Sequence, residues 1–511
     1  MTDDVLVVGA GPTGLTLAIE LARRGVGVRI VDAAPAPHRE SRGKGLQPRT
    51  LEVLEDVGGT ERALAIGTTR LPFRKYFDGA HVNDTDPFAD ALPTPDAPYE
   101  RGVLIGQWQV EQILRERLAE FGVGVQLGTE VVEFEQDTDG VTAVLADGER
   151  IRAGYLVGCD GGRSRVRKAM GVRFDGTTEE TQSMVVGDVE AEGLGRDVWH
   201  QWFTSEGGGV ALCPMPGTDS FQLQASPELD ASGEPLPPSL ESFQRLFDRY
   251  ARVPGVTLKN PTWLSVWRVN VRMVDRMRVG RVLLAGDAAH VHPIAGGLGM
   301  NTGIQDAYNL GWKLALAATG QAGPGLLDTY EEERLPVAAW TLGVSSDLYA
   351  QVLERVKEPG TGIEVAAPPP MGTGYPWSSL AGPAGPAVGP VGDPAVLRPG
   401  DRAPDAPCLD ASGHPVRLFE VYADPRFTLL GFGAEVADAV GKLAVEHDGL
   451  LQGFTVDDDL RDHEGHARRA YGITGPGLVL IRPDNHVALF TRDPAEVTAC
   501  LARIVTITPK E

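Results

Sequence analysis

Three short stretches of glycine and acid carry residue types suited to holding a phosphate-bridged nucleotide. They are Gly9-Ala10-Gly11-Pro12-Thr13-Gly14, Asp160-Gly161-Gly162 and Gly286-Asp287, the last followed by Gly296-Gly297-Leu298-Gly299-Met300-Asn301. Glycine leaves backbone N–H groups uncovered, and at a helix start those amides and the helix dipole attract anionic oxygen or an electron-rich ring. A carboxylate such as that of Asp32 accepts hydrogen bonds from a ribose.

Such groups need strands and helices to aim them. Val5–Val8 is a buried-strand run leading straight into the first glycine. Leu15, Leu17, Ala18 and Leu21 follow at helical spacing, and Val28–Val31 is a second strand ending at Asp32. This is G-x-G-x-x-G inside a complete β-α-β unit, a dinucleotide-binding pattern rather than an isolated motif. Tyr155–Cys159 and Val282–Ala285 are further apolar runs, each delivering an acid to a strand's carboxyl end, where open α/β sheets bind ligands. Ile304, Ala307, Leu310 and Leu314 predict one apolar helix face after the third stretch. Arg39, Arg42, Lys44 and Arg49 form a basic loop, read either as a solvated loop or as a contact for phosphates or a nicotinamide nucleotide.

The 511 residues exceed one core, so two or three domains are expected. The order of patterns predicts segments of a dinucleotide-binding domain at 1–70, 101–180 and 276–357. An excursion at 71–100 and short strands over 181–275 predict an inserted antiparallel-sheet substrate domain. A Pro/Gly-rich linker spans 358–397, and 398–511 alternates strands and helices as a small α/β domain. The net charge of −23 argues against nucleic acid and anionic membranes as partners. Four scattered cysteines with no C-x-x-C argue against a disulfide framework and a zinc site, so no metal is expected. The N-terminal run, broken by Gly9 and Gly11, reads as neither signal peptide nor membrane span, and the default expectation is a cytoplasmic protein.

In this order and spacing, Gly9-x-Gly11-x-x-Gly14, Asp160-Gly161 and Gly286-Asp287-Ala288-Ala289-His290 resemble the class A FAD-dependent aromatic hydroxylases, of p-hydroxybenzoate hydroxylase fold. Ser41-Arg42, Arg49-Thr50-Leu51-Glu52, Gln107 and Gly299-Met300-Asn301-Thr302-Gly303 also match. The resemblance covers roughly residues 1–345. The tail, opening at Arg398-Pro399-Gly400-Asp401, is similar to the thioredoxin-like domain of phenol-hydroxylase and polyketide-hydroxylase members. There, without a redox C-x-x-C, a structural or dimer-contact role is expected.

The resemblance implies a Rossmann-like FAD domain and a monooxygenase that consumes NADPH (or NADH) and O2 and works through a C4a-hydroperoxyflavin. It assigns Gly9, Gly11 and Gly14 to the pyrophosphate, Asp32 to the adenosine ribose, and Arg42 and Gln107 to the FAD. Asp160-Gly161 falls where FAD and passing NADPH are handled, and Asp287 on the ribitol side. Pro293 and the Gly299-Met300-Asn301 backbone surround the flavin ring, and no acid or base residue stands out. Tyr76, Trp202, Met215, Phe221 and Gln222 are candidate substrate contacts. The expected substrate is a small phenolic or quinonoid aromatic, polycyclic and polyketide-type, with simple phenols or phenylpropionates second. A Baeyer–Villiger or epoxidising enzyme, and a non-catalytic flavin- or aromatic-binding protein, are the alternatives. A homodimer is left open.

Overall fold

The computed structural model describes residues 3–86, 88–293, 295–363, 374–382 and 397–506. Much of the Pro/Gly-rich linker, 364–373 and 383–396, lies outside the described residues.

Three sheets organise the chain. The first has the order Arg278–Val279, Val282–Leu284, Arg150–Gly158, Asp3–Val8, Val28–Val31, Val125–Gln126. A hairpin, Val131–Gln136 and Val141–Leu145, pairs onto the outer part of Arg150–Gly158. Its four central strands are parallel, and Val8 stands level with Val31 on one side and with Gly158 on the other, which in turn stands level with Leu284. Parallel strands need crossover connections, and these cover both faces, so the strands are apolar throughout. Val5, Val7, Leu156, Val157, Leu283 and Leu284 are fully buried.

Two helices pack closely beneath this sheet edge, Pro12–Ala22 and Gly299–Ala318. A Cβ on Gly303 would lie 2.3 Å from Thr13 Oγ1, so the approach depends on glycine there. The second helix is buried all round from Asn301 to Ala315, including Asp306, Asn309 and Lys313. The apolar spacing predicts one buried face; the C-terminal domain and the helix Asp328–Arg355 cover the others.

The inserted domain is an eight-stranded sheet whose long members are Phe174–Glu192 and Thr257–Val274. Both run well past the short strands the sequence suggests, carried through two register shifts. The excursion supplies its far edge: Phe73–Phe77 pairs in parallel with Trp199–Phe203, and Ala80–Thr85 closes a hairpin. Helix Leu240–Ala251 covers one face with Phe243, Leu246 and Phe247.

In the tail, Phe427–Phe432 lies between the parallel Leu451–Val456 and the antiparallel Gly477–Ile481, with Val487–Thr491 outside. That is the strand order of a thioredoxin-like core. Its helix Pro494–Ile504 and Phe427 share a core with Trp312 and Leu326 of the first domain. Cys408 and Cys500 are buried free thiols.

Candidate active site

Because Val31, Val8, Gly158 and Leu284 end level on four adjacent strands, the loops after them emerge at one sheet edge. Asp32, Gly9–Gly14, Asp160–Gly161 and Gly286–Asp287 are thereby brought together from distant parts of the chain. Gly9 has φ +105°, and a Cβ there would lie 2.3 Å from the Cys159 carbonyl oxygen. A Cβ on Gly14 would lie 2.0 Å from the Gly9 carbonyl oxygen. Gly11 differs: its Cβ position meets nothing within 4 Å, nor does that of Gly161. Two of the motif's glycines close the protein on itself, and Gly11 leaves space for a ligand at the start of helix Pro12–Ala22.

The carboxylates divide in the same way. Asp32 accepts from the amides of Ala10 (2.7 Å) and Ala34 (2.8 Å), shaping the glycine turn. Asp160 accepts from Ser164 Oγ (2.5 Å) and the Arg165 amide (2.7 Å), so it caps helix Arg165–Met170. Asp287 has no side-chain partner among the described residues and is accessible to solvent. Yet surrounding protein desolvates it and pushes its carboxyl above the usual range, with Asp306 adding to the shift and His290 opposing it. Asp287 is thus walled by protein and yet open to solvent.

Behind Asp287 stands Asp306, whose Oδ2 accepts from the Gly286 amide (3.0 Å) and pairs with His290 Nε2 (2.7 Å). Its pKa is lowered despite burial, by Arg334 and then His290. His292 lies in front: its ring is 3.3 Å from the Cβ position of Gly299, and Asp287 Oδ1 is 4.0 Å from that position. Burial holds His292 down at about 4, so it is a neutral imidazole, and its Nε2 has no partner among the described residues. Pro293 is buried beside it, its carbonyl against His292 Nδ1 at 3.1 Å.

The first intrahelical bond of Gly299–Ala318 runs from the Thr302 amide to the Leu298 carbonyl (2.8 Å). The amides of Gly299, Met300 and Asn301 are therefore free of intrahelical acceptors. The Asn301 side chain turns inward, accepting from the Gln47 amide (2.8 Å) and donating to the Gly297 (2.7 Å) and Gly45 (3.2 Å) carbonyls. It ties the strand Lys44–Leu46 to the glycine loop. Gln107 joins the same wall: its amide donates to the Gly43 carbonyl (3.0 Å), and its Nε2 to Glu111 (2.9 Å).

The basic loop splits. Arg39 and Arg42 are exposed, Arg42 facing Glu40 at 3.8 Å. Arg49 is buried against Glu52 (2.8 Å) and the Asp484 carbonyl (3.2 Å), which removes it from the phosphate candidates. Lys44 turns to the substrate sheet, where its Nζ donates to Gln222 Oε1 and lies 4.0 Å from the Trp199 ring centroid. Desolvation lowers its pKa, with Cys213 and Asp188 opposing the shift.

Side chains of paired residues share a sheet face. Asp188, Gln222 and Cys213 form one row on the face toward this loop. Gln222 donates to the Ser41 carbonyl, and Asp188 accepts from the Ser41 amide (2.8 Å). Of the five candidate substrate contacts, only Gln222 lies there. Trp202, Phe221 and Tyr76 belong to the opposite face and its core under helix Leu240–Ala251. Trp202 is wholly buried, 5.5 Å from the Phe247 ring and 4.8 Å from Tyr76. Strand alternation, invisible until the register is known, sends them away from the cleft. Met215 is buried at a strand end beside an open cleft of about 530 Å3 between the sheet and Thr68–Leu71. Sequence reasoning missed Lys44 as a sheet-facing group, Asp188 and Trp267. The alternation of Ser183–Gly187 extended to Asp188 was the available signal. His200 is satisfied by Tyr76 (3.2 Å) and the Gly195 carbonyl (2.9 Å), a structural histidine.

Among the described residues no cluster of three or more His, Cys, Asp or Glu can hold a metal, and no helix is long and apolar enough to cross a membrane.

The chain is similar to known proteins over nearly its whole length. A family model described as an FAD binding domain matches residues 2–344, and one described as aromatic-ring hydroxylase, C-terminal, matches 397–506. A flavin-dependent monooxygenase of Mycobacteroides abscessus is 42% identical over 98% of this chain and 100% of that protein. 6-Methylpretetramide 4-monooxygenase of Streptomyces rimosus is 36% identical over 95% of this chain and 90% of that protein. The crystal structure of aklavinone-11 hydroxylase with FAD and aklavinone superposes with a TM-score of 0.83 at 31% identity, covering 98% of this chain and 99% of that one. The open space at Gly11 and Gly161, the partnerless Asp287 and the free amides at Gly299 suit the pyrophosphate, ribitol and ring of that cofactor, and the chain belongs to the FAD-dependent aromatic-ring monooxygenases.

Proposed function

We propose that this monooxygenase uses NAD(P)H and O2 to hydroxylate a polycyclic phenol or quinone of aromatic-polyketide type. The observation that carries the reading is the end-to-end likeness to aklavinone-11 hydroxylase, with 6-methylpretetramide 4-monooxygenase as a relative over nearly the whole chain. The substrate wall supports it. Met184, Val186, Asp188, Gln222, Gln224, Ser265 and Trp267 share one sheet face by register. Trp267 lies 6.3 Å from the Tyr349 ring of helix Asp328–Arg355, and Leu348 of that helix is 3.2 Å from the Cβ position of Gly296. A broad wall with polar groups at one end suits a flat, multi-ring ligand with oxygen substituents.

When bound, the flavin would pass electrons from NAD(P)H to O2, one atom of which goes to the ring while the other leaves as water. The chain's part is to position and to exclude water. Gly11 admits the pyrophosphate, Asp287 holds the ribitol hydroxyls, and the Gly299–Asn301 amides face the electron-rich edge of the ring. Lys44 Nζ, which donates to Gln222 Oε1 at the sheet–loop junction, sets a polar group beside that wall to meet an oxygen substituent of the ligand.

Mass spectrometry of products from a panel of polycyclic and simple phenols, with NADPH or NADH under O2, tests the reading. A product heavier by one oxygen on a polycyclic ring, with stoichiometric nucleotide oxidation, is expected. Turnover of simple phenols alone, or an inserted ester oxygen, overturns it. So does rearrangement without nucleotide oxidation, an outcome raised by a 37% identical relative named dialkyldecalin synthase, which matches 65% of this chain.

A further inference from the structure

We propose that the C-terminal domain is a positioning element for the flavin site, acting through a buried polar chain from Arg482 to the Gly286-Asp287 turn. The chain starts on the strand Gly477–Ile481 and the turn after it. Arg482, 1% exposed, binds both oxygens of Glu333, at 2.6 and 2.9 Å, and both oxygens of Asp484, at 2.9 and 2.5 Å. Glu333 belongs to helix Asp328–Arg355 and also accepts from Lys313 Nζ (2.6 Å), Asn309 (2.7 Å) and Ser378 Oγ (2.6 Å). Its neighbour Arg334 carries the path onward. Arg334 Nε donates to Asp306 Oδ1 (2.7 Å), and its other nitrogens to Tyr375 Oη (2.9 Å) and the Thr302 carbonyl (3.2 Å). Asp306 then holds the Gly286 amide and His290, the residues that set the height and tilt of Asp287.

A second arm reaches the same arginine. The Tyr375 ring lies 4.6 Å from that of His486, whose Nδ1 faces the Asp484 carbonyl at 2.8 Å. The tail thus grips both neighbours of Arg334, Glu333 along the helix and Tyr375 across it.

Charge makes the arrangement interdependent. Arg482, Lys313 and Arg334 stand against Glu333, Asp484 and Asp306, three cations and three carboxylates, all fully or almost fully buried. Deleting one member leaves a neighbour uncompensated in low dielectric, so the rest must shift or admit water. The shift is felt at Asp306, the one of the three carboxylates that touches the Gly286-Asp287 turn. A domain needed only to cover apolar surface would dock through Trp312, Phe427 and Leu501 alone. The ionic chain adds directionality, because each link fixes the next in angle as well as distance.

The full-length holoenzyme tests this. In Tyr375→Phe, which keeps the ring and removes one acceptor of Arg334, FAD Kd from ultrafiltration should rise several-fold. The flavin midpoint potential and the visible absorption bands should shift. Arg482→Met should raise Kd at least tenfold with the same spectral change. The control is Arg417→Met, a tail residue bound to Asp405 and 3.4 Å from Glu55 of helix Pro48–Val57, with no bond to a member of the buried chain among the described residues; it should lower Tm and leave FAD Kd and potential unchanged. Wild-type Kd and potential in Tyr375→Phe overturn the proposal, whether or not Arg482→Met folds. Equal loss of flavin in Arg417→Met also overturns it, since any loosening of the tail would then suffice.

Discussion

Alanine at Gly11 and alanine at Gly14 should fail in opposite ways. At Gly14 the new methyl lies 2.0 Å from the Gly9 carbonyl oxygen and 3.1 Å from its carbon, at a site where helix, strand and turn are all buried. Overpacking of this kind costs about 1–3 kcal/mol, and the apoprotein should melt lower. At Gly11 the backbone has φ −73° and ψ −178°, which alanine adopts without strain, and beyond its two chain neighbours no atom lies within 4 Å of the new methyl. Removing glycine's freedom from the unfolded chain there stabilises by about 0.4–1 kcal/mol, so the apoprotein should melt at the same temperature or higher. The methyl instead occupies space reserved for the pyrophosphate. A clash of about 1–3 kcal/mol corresponds to an FAD Kd roughly 5- to 150-fold weaker. Thermal melts of the two apoproteins and fluorescence titration with FAD give both readouts. Wild-type FAD affinity in Gly11→Ala, or a lowered apoprotein Tm in that variant, refutes the placement of the pyrophosphate.

Asp287→Asn should weaken FAD by roughly ten- to 150-fold through loss of charge-assisted hydrogen bonds. Because the folded pKa of Asp287 lies above its unfolded value, its ionised form destabilises the folded apoprotein at neutral pH. The asparagine apoprotein should therefore melt no lower than wild type at pH 7, and a lower Tm counts against the cleft. His292 has the opposite sign: its folded pKa of about 4 lies below the ordinary value near 6.5. Between those values the unfolded chain binds the proton and the folded one does not, so apoprotein stability should fall by about 2–3 kcal/mol as pH drops from 6.5 to 4. Denaturant titrations should show that slope flattened in His292→Asn. Lys44→Met should raise KM for a phenolic substrate several-fold, since the amine bonded to Gln222 at the substrate wall is lost; an unchanged KM removes Lys44 from that wall.

The β-α-β unit, the acids at strand ends and the tail's alternating elements were legible because each is a local pattern. A glycine turn, an apolar run of strand length or a 3.6-residue spacing means the same wherever it occurs. The likeness to aromatic hydroxylases rested on that order of motifs, and the family match upholds it. What the local pattern could not carry was direction. Tyr76, Trp202 and Phe221 are aromatic and in the right domain, but sheet register turns them to the helix-covered face and brings Gln222 and Asp188 to the other. Likewise Arg49 and Lys44 look like loop cations until packing buries one against Glu52 and sets the other beside Trp199.

The spacing of glycines and apolar runs in this chain determined its dinucleotide-binding β-α-β unit, since that depends on short-range backbone geometry and on which segments can be buried. Only the tertiary structure decided which carboxylate is free. Asp32 and Asp160 accept hydrogen bonds from nearby amides and a hydroxyl, whereas Asp287 has no hydrogen-bond partner among the described residues. It likewise decided that Asp306, Arg334, Glu333 and Arg482, separated by up to 176 positions, form one buried chain. Such contacts are made between elements, and no property of any one element contains them.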